Sequence, residues 1–396
     1  MKWLTLAILL LAACHKDTRL PVATEAYVWQ SPDRPAVKQA MARAAGVVTR
    51  LHVRAAELRW TGEGFAIERA LTRLPAPGCG LVVRIGASAS QLAWTPRQIE
   101  AVAVIFRELT KLNPSEIQCD YDCPQRRLQG YRVLLDSLQS AAGAVPVLPT
   151  VLPSWLDEPD FRKLIAGRSG YVLQVHSLQL PKRSGDRAVI FNPVAARTAA
   201  GKAAALQVPF RIAMATYGCE VRFGPDGKVT DVISEDAGGD TALDRAFALA
   251  DPVESARLVH EWTLDPPAGL RAIIWYRLPV EGDRRNWPWE TFQLVIRGEV
   301  ARSRPELEAS PGPGVRDLHI ANHGHFPLLL PEEIVVSSPV IAADGAGAYR
   351  LEPQADGLHF IRRSGIWPWL DPGKKIPTGW LRTSEESARI ESSFPQ

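Results

Sequence analysis

The chain is expected to fold as an α/β protein, a TIM-like (β/α)8 barrel followed by a C-terminal all-β, sandwich-like domain. Three observations lead there. Eight apolar, strand-like runs lie between residues 25 and 279, most of them separated by segments of helical period, as parallel strands covered by helices require. No glycine fingerprint for a dinucleotide follows any of these runs, which counts against the alternative, a doubly wound open sheet. From about residue 300 the texture changes to Pro- and Gly-rich sequence with short apolar runs, and turns every 8–12 residues or so are the pattern of a small sandwich.

The strands are read as "EAYVWQ" (25–30), "VTRLHVRAAEL" (48–58), "GLVVRIGAS" (80–88), "EIQCDYD" (116–122), "AVPVLPTVLPSW" (144–155), "YVLQVHSLQLP" (171–181), "PFRIAMATYG" (209–218) and "GLRAIIWYRLP" (269–279). Helices are expected between several of them. One opens with Thr95 as N-cap and Pro96 at the first helical position, and sets Ile99, Val102, Ile105, Phe106 and Leu109 on one face. A second sets Leu128, Tyr131, Leu134, Leu135 and Leu138 on one face, with Gly143 as its stop. Others are read at "DEPDFRKLIAG", at 193–206 and around 251–262.

At 396 residues with 46% hydrophobic and 22% charged content, the chain can bury more than one core. A formal charge of +3 without runs of like charge leaves no electrostatic footprint for nucleic acid. Twelve Trp residues are a surplus, and flat indole rings suit both core packing and stacking on sugars.

The opening "MKWLTLAILLLAAC" combines Lys2, an apolar run and small residues before Cys14, which reads as an export signal. Leu11-Ala12-Ala13-Cys14 resembles the lipobox of bacterial lipoproteins. The resemblance implies cleavage after residue 13, a lipid on Cys14, a tether over 14–24 and attachment to the envelope membrane. His15 in place of Asp then points to an outer-membrane anchor facing the periplasm. The barrel is placed at 25–300 and the β-rich domain at 301–396.

Cys79, Cys119, Cys123 and Cys219 remain in a compartment where disulfides are permitted. Spacing pairs none of them, and Cys119-x₃-Cys123 lacks the second ligand pair of a zinc site. Buried thiols are favoured, with a disulfide as the alternative. Asn322-His323-Gly324-His325 reads as a strand-connecting turn rather than a metal pair. No metal or cofactor is expected.

Barrel chemistry sits at the carboxyl ends of strands. In "IQCDYDC" alternation sends Gln118, Asp120 and Asp122 to one face and Cys119, Tyr121 and Cys123 to the other. Two carboxylates about 6–7 Å apart along the strand can drive each other's proton affinities apart, as acid catalysis on a glycosidic bond requires. Asp122 is the candidate general acid and Asp120 its ionised partner beside Arg84. His176, Tyr217 and Tyr276 offer further polar groups, although only one of Trp275 and Tyr276 can point inward. Trp29, Trp155 and Trp275 are candidate stacking platforms, and Trp287 and Trp289 weaker ones. His52 is expected to be packed, and Glu57 is a weak site candidate.

Asp120-Tyr121-Asp122-Cys123-Pro124 resembles the D-W-E-Y-P ending of the fourth strand in chitinase-type, family 18 glycoside hydrolases, with Gln118 where that family has its first Asp. Arg84-Ile85-Gly86-Ala87 is similar to its S-x-G-G, Gln174-Val175-His176-Ser177 to its M-x-Y-D, and Trp275 to its closing Trp. The whole chain also resembles an uncharacterised family of bacterial lipoproteins. The resemblance implies a glycan substrate, with Asp122 in the place of the acid Glu and Asp120 in that of the Asp that orients the substrate. The acid is one methylene short, and His176 and Ser177 replace Tyr and Asp. Two readings follow: a glycoside hydrolase-like enzyme, or a glycan-binding or envelope scaffold protein on a barrel that no longer catalyses.

Overall fold

The structure is a computed structural model that describes residues 22–181, 188–234, 244–311, 314–337, 340–355, 357–383 and 392–393. Cys14 and the lipobox lie outside them. Eight strands form the barrel: β1 (Ala23–Val28), β2 (Arg50–Trp60), β3 (Gly80–Ile85), β4 (Ile117–Tyr121), β5 (Val147–Val151), β6 (Tyr171–Gln174), β7 (Phe210–Ala215) and β8 (Leu270–Tyr276). Each is parallel to its neighbours, and β1 pairs with both β2 and β8, so the sheet closes on itself. The open-sheet alternative is thereby excluded.

Among the described residues seven α-helices accompany the strands: α1 (Pro35–Ala44), α2 (Pro96–Thr110), α3 (Leu128–Ala142), α4 (Pro159–Ile165), α5 (Pro193–Ala205), α6 (Pro252–Leu264) and α7 (Trp289–Ile296). The start of α2 is held by a capping box in which Thr95 and Gln98 satisfy each other's backbone N–H groups. Its buried face is Val102, Ala103, Phe106 and Leu109, and all five expected residues of α3 are buried. Between β2 and β3 there is no helix; a strand, Phe65–Ala70, turns back antiparallel on β2 instead. The tight turn at Thr61–Gly64, closed by the Thr61 hydroxyl on the Gly64 carbonyl, starts a period-2 segment that cannot present a helical stripe.

Two additions rise from the carboxyl side of the barrel. After β6 comes a hairpin of His176–Gln179 with Val189–Phe191. After β7 comes a three-stranded antiparallel sheet of Val229–Ile233, Gly218–Phe223 and Asp244–Leu249. The C-terminal region is a sandwich. One sheet contains Pro305–Ala309, Val315–Asn322, Lys375–Thr383 and Val340–Gly345, and the other Tyr349–Gln354, Gly357–Arg362, Glu333–Val336 and Ser392–Ser393. Leu318, Ile320, Ile334, Val336, Tyr349, Phe360 and Leu381 make its separate core. It meets the barrel through Phe326, through the Thr291 hydroxyl on the His325 carbonyl at 3.1 Å, and through Trp367 against Phe247. The 322–325 turn is built by Asn322, whose buried carboxamide donates to the carbonyls of Phe326 and Leu370 and accepts from the Gly324 N–H.

The barrel is apolar outside and polar inside. The large core lies between strands and helices and includes Cys119, Tyr121, Cys123 and Trp275. The inner face holds a small apolar group, Tyr27, Trp29, Val82, Val172, Ala213 and Ile274. Beneath it, at the amino ends of the strands, lies a buried ionic layer. Arg211 donates two hydrogen bonds to Glu116, at 2.5 and 2.8 Å, and Arg50 adds a third at 3.2 Å. His52 is fully buried, with Nε2 2.8 Å from Glu25 and Nδ1 3.0 Å from the Gln118 amide nitrogen. Burial alone would raise the Glu116 carboxyl, but Arg211 and His52 hold it down at about 2. Gly80 makes room for this layer: a Cβ there would come within 2.4 Å of His52 Nδ1.

Two consequences are measurable by urea denaturation. Gly80→Ala should destabilise the protein by about 1–3 kcal/mol through overpacking, and Glu116→Gln by about 3–5 kcal/mol because Arg211 is left buried without its anion. With a folded value near 2 and an unfolded value of about 4.3, the Glu116 contribution is present above about pH 4 and lost as pH falls towards 2. The Gln variant should therefore lose less stability over that interval than the parent.

Candidate functional site

The inner faces of the strands converge at their carboxyl ends on a pocket of about 170 Å³, lined by Asp120, Asp122, Arg84, His176, Tyr217 and Tyr276 among others. Alternation along β4 explains which residues arrive there. Gln118, Asp120 and Asp122 project inward, while Tyr121 turns outward and donates to the Ala89 carbonyl at 2.9 Å. Cys119 and Cys123 are free, buried thiols in the outer core, both pushed up to about 12 by burial, which makes them inert packing groups. Cys79 and Cys219 are likewise buried and free.

The two acids are not equivalent. Asp120 is 7% exposed and fully engaged: it accepts from Arg84 at 3.2 Å on one oxygen and from the Thr150 hydroxyl at 2.9 Å on the other. Asp122 is exposed at the mouth, and its carboxyl has no hydrogen-bond partner among the described residues. Burial of the recess, with the Asp120 charge behind it, raises the Asp122 carboxyl to about 6 against the pull of Arg84. Water at the mouth works against the burial contribution, so the rise reflects the recess and the Asp120 charge together. An acid that holds its proton up to about pH 6 thus stands above a carboxylate ion-paired with Arg84.

Arg84 is part of a chain across the rim. Glu57 lies 3.7 Å from Arg84 and accepts from Arg54 at 2.5 Å. A bulge in β2 between Arg54 and Ala56 brings Arg54 and Glu57 to the same side. Both guanidiniums lie over the Trp29 ring, at 5.1 and 5.7 Å from its centre, so cations occupy ring surface on which a sugar would stack. On the opposite wall His176 stacks on Tyr276 at 5.0 Å, and Tyr217 packs edge-on against both. Burial holds the His176 imidazole low, at about 3, so the ring is neutral, and its Nδ1 has no hydrogen-bond partner among the described residues. Burial likewise raises Tyr217 to about 12 and Tyr276 further, so both hydroxyls keep their protons.

The structure places the sequence candidates in three groups. Asp120, Asp122, Arg84, Gln174, His176, Tyr217, Tyr276 and Trp29 line the pocket. Trp155 and Trp275 do not. Trp275 is fully buried against Trp287 and Phe292, because alternation along β8 gives the inward position to Tyr276. Trp155 is in a 3-10 turn past the end of β5 that folds over the helices, against Tyr131 and Phe161. Trp287 and Trp289 are packed too: Trp287 donates to the Ala250 carbonyl at 2.8 Å, and Arg43 lies over Trp289. His52 belongs to the ionic floor. Gln118 joins that floor to the pocket: it accepts from Tyr27 at 2.6 Å and donates to Glu116 at 2.9 Å. The sequence reading missed Tyr27 and Thr150. Tyr27 lies two residues before Trp29 on the same strand, so period-2 alternation alone could have marked it.

The fold and the site define a closed parallel (β/α)8 barrel protein with a carboxylate-bearing pocket at the carboxyl ends of its strands. The chain belongs to the family described as a domain of unknown function, DUF3142, whose model matches residues 81–281, and residues 306–384 match a second domain of unknown function, DUF8456. No curated protein matches the sequence. Solved structures similar in fold include a chitinase from Chromobacterium violaceum ATCC 12472, at 12% identity and a TM-score of 0.47 over 70% of this chain and 99% of that one. The spore cortex-lytic enzyme SleL of Bacillus cereus is similar at 12% and 0.47, over 70% of this chain and 74% of its own. Chitinase ChiA74 from Bacillus thuringiensis is similar at 9% and 0.46, over 94% and 100%.

The Asp122 environment has a signature in stability. Its folded value near 6 exceeds an unfolded value of about 3.9, so the folded state binds the proton first and loses stability as pH rises from about 4 through 6. Calorimetry should find Asp122→Asn melting above the parent at pH 8 and level with it at pH 4; an equal gap at both pH values would refute the raised carboxyl.

Proposed function

We propose that this protein is a glycosidase of the bacterial envelope, anchored through lipid on Cys14, in which Asp122 is the general acid. The observation that supports the reading is the division of labour between the two acids: Asp120 is tied to Arg84 and Thr150, while Asp122, at the pocket mouth, has no hydrogen-bond partner among the described residues and is raised to about 6 by its recess and by Asp120. The proton of Asp122 passes to the bridging oxygen as its bond to the anomeric carbon breaks. Asp120 places negative charge beneath the cationic centre that develops there. Water adds its hydroxyl to that carbon, and the proton it releases restores Asp122. The neutral His176 and the protonated Tyr217 and Tyr276 orient sugar hydroxyls. The anchor is supported by the Leu11-Ala12-Ala13-Cys14 sequence.

A second reading, glycan binding without turnover, is favoured by one feature: of the two pocket carboxylates, Asp120 is tied up by Arg84 and Thr150 and Asp122 alone lacks a hydrogen-bond partner among the described residues, so no second one stands ready there to activate water. The soluble chain beginning after Cys14, incubated with wall fragments and a polysaccharide panel, separates the two. Hydrolysis should release reducing ends, Asp122→Asn should slow it by about 10²–10⁴-fold, and kcat/KM should fall as pH rises above about 6, because only the protonated acid is competent. Binding by equilibrium dialysis without release of sugar supports the second reading, and equal rates in parent and Asn variant defeat the first.

A further inference from the structure

The depth at which each group sits says how a glycan enters. We infer that the pocket admits only the terminal, non-reducing sugar of a chain, end-on, and leaves the remainder of the glycan outside; this rests on the glycosidase reading above. Three observations carry it. The cavity, about 170 Å³, is well below the range of about 300–1,000 Å³ for sites that enclose drug-sized ligands, so it holds roughly one ring. Its floor is closed: Tyr27 is hydrogen-bonded to Gln118 and backed by the ionic layer, and Val82, Val172 and Ala213 fill the space beside it. Its walls are fixed on both sides, by the ion-paired Arg84 beside Trp29 and by the His176–Tyr276 stack with Tyr217.

The position of the acid then gives the polarity. Asp120 is deep and 7% exposed, whereas Asp122 is exposed at the rim. A general acid must reach the bridging oxygen that joins the anomeric carbon of the reacting sugar to the leaving group, since the bond between that carbon and that oxygen is the one that breaks. With the acid at the rim, the bond to be broken lies at the rim, the sugar losing its substituent fills the pocket, and the leaving chain faces solvent. That sugar is the non-reducing end. An open cleft would instead have an acid midway along a groove with ring-sized sites on either side.

The test is a glycan array carrying each oligosaccharide, from wall, chitin and cellulose sources, at lengths of two to six residues, with the non-reducing end free or capped by a 4-O-methyl group. Asp122→Asn serves as the probe protein, so that turnover does not deplete the spots. Signals should change less than about threefold with length and drop at least tenfold on capping. Signals that climb with every added residue, or that tolerate the cap, overturn the end-on inference while leaving glycan recognition intact. Absence of signal on every glycan overturns the glycan reading itself, and the inference with it.

Discussion

The ion pair between Glu116 and Arg211, with Arg50, Glu25 and His52 around it, is the constraint on which the rest of the barrel depends. Small parallel barrels usually fill their interior with aliphatic layers; here the lowest layer is ionic and buried. Taking such charges out of water is costly, and the cost is offset only when every group keeps a partner. The partners come from β1, β2, β7 and the residue preceding β4, so pairing is satisfied only in the closed barrel. Closure and charge compensation are one condition. Gly80 follows from it, because the His52 ring occupies the space a side chain would need.

Gln118 carries that constraint upward. Its carboxamide is shared between Glu116 and His52 below and Tyr27 above, so the pocket floor is held by the layer beneath it. A carboxylate at 118 would place a second acid against Glu116. Gln118 is thus part of the floor, and above it the pocket lining carries Asp120 and Asp122. Between these two, Arg84 and Thr150 decide the roles by binding only the deeper one. Arg84 is itself held by Glu57, which the β2 bulge swings inward, so an irregularity two strands away from Asp122 helps set its charge environment.

Much of this was readable from local pattern. The eight strands, the capping box at Thr95, the buried stripe of α3 and the separation of Asp120 and Asp122 from Cys119 and Cys123 follow from periods of 2.0 and 3.6 and from the chemistry of caps. Helices were expected between several of the strands; between β2 and β3 a four-residue turn and alternating sequence make a hairpin instead. Trp155 and Trp275 were assigned to the pocket because they lie near strand ends. The first is past its strand, where alternation no longer applies, and the second competes with Tyr276 for one inward position.

Local sequence thus determined which elements form and which face of β4 bears acids, since those properties depend on neighbours a few residues away. Tertiary structure alone decided that Glu116 and Arg211, 95 residues apart, share a buried pair, that Gln118 belongs to the floor, and that Arg84 and Thr150 tie down Asp120 while Asp122 is exposed at the mouth. Those outcomes depend on which strands become adjacent when the barrel closes. The energy of a buried charge is set by the groups that surround it in space, and no local stretch of chain carries that information.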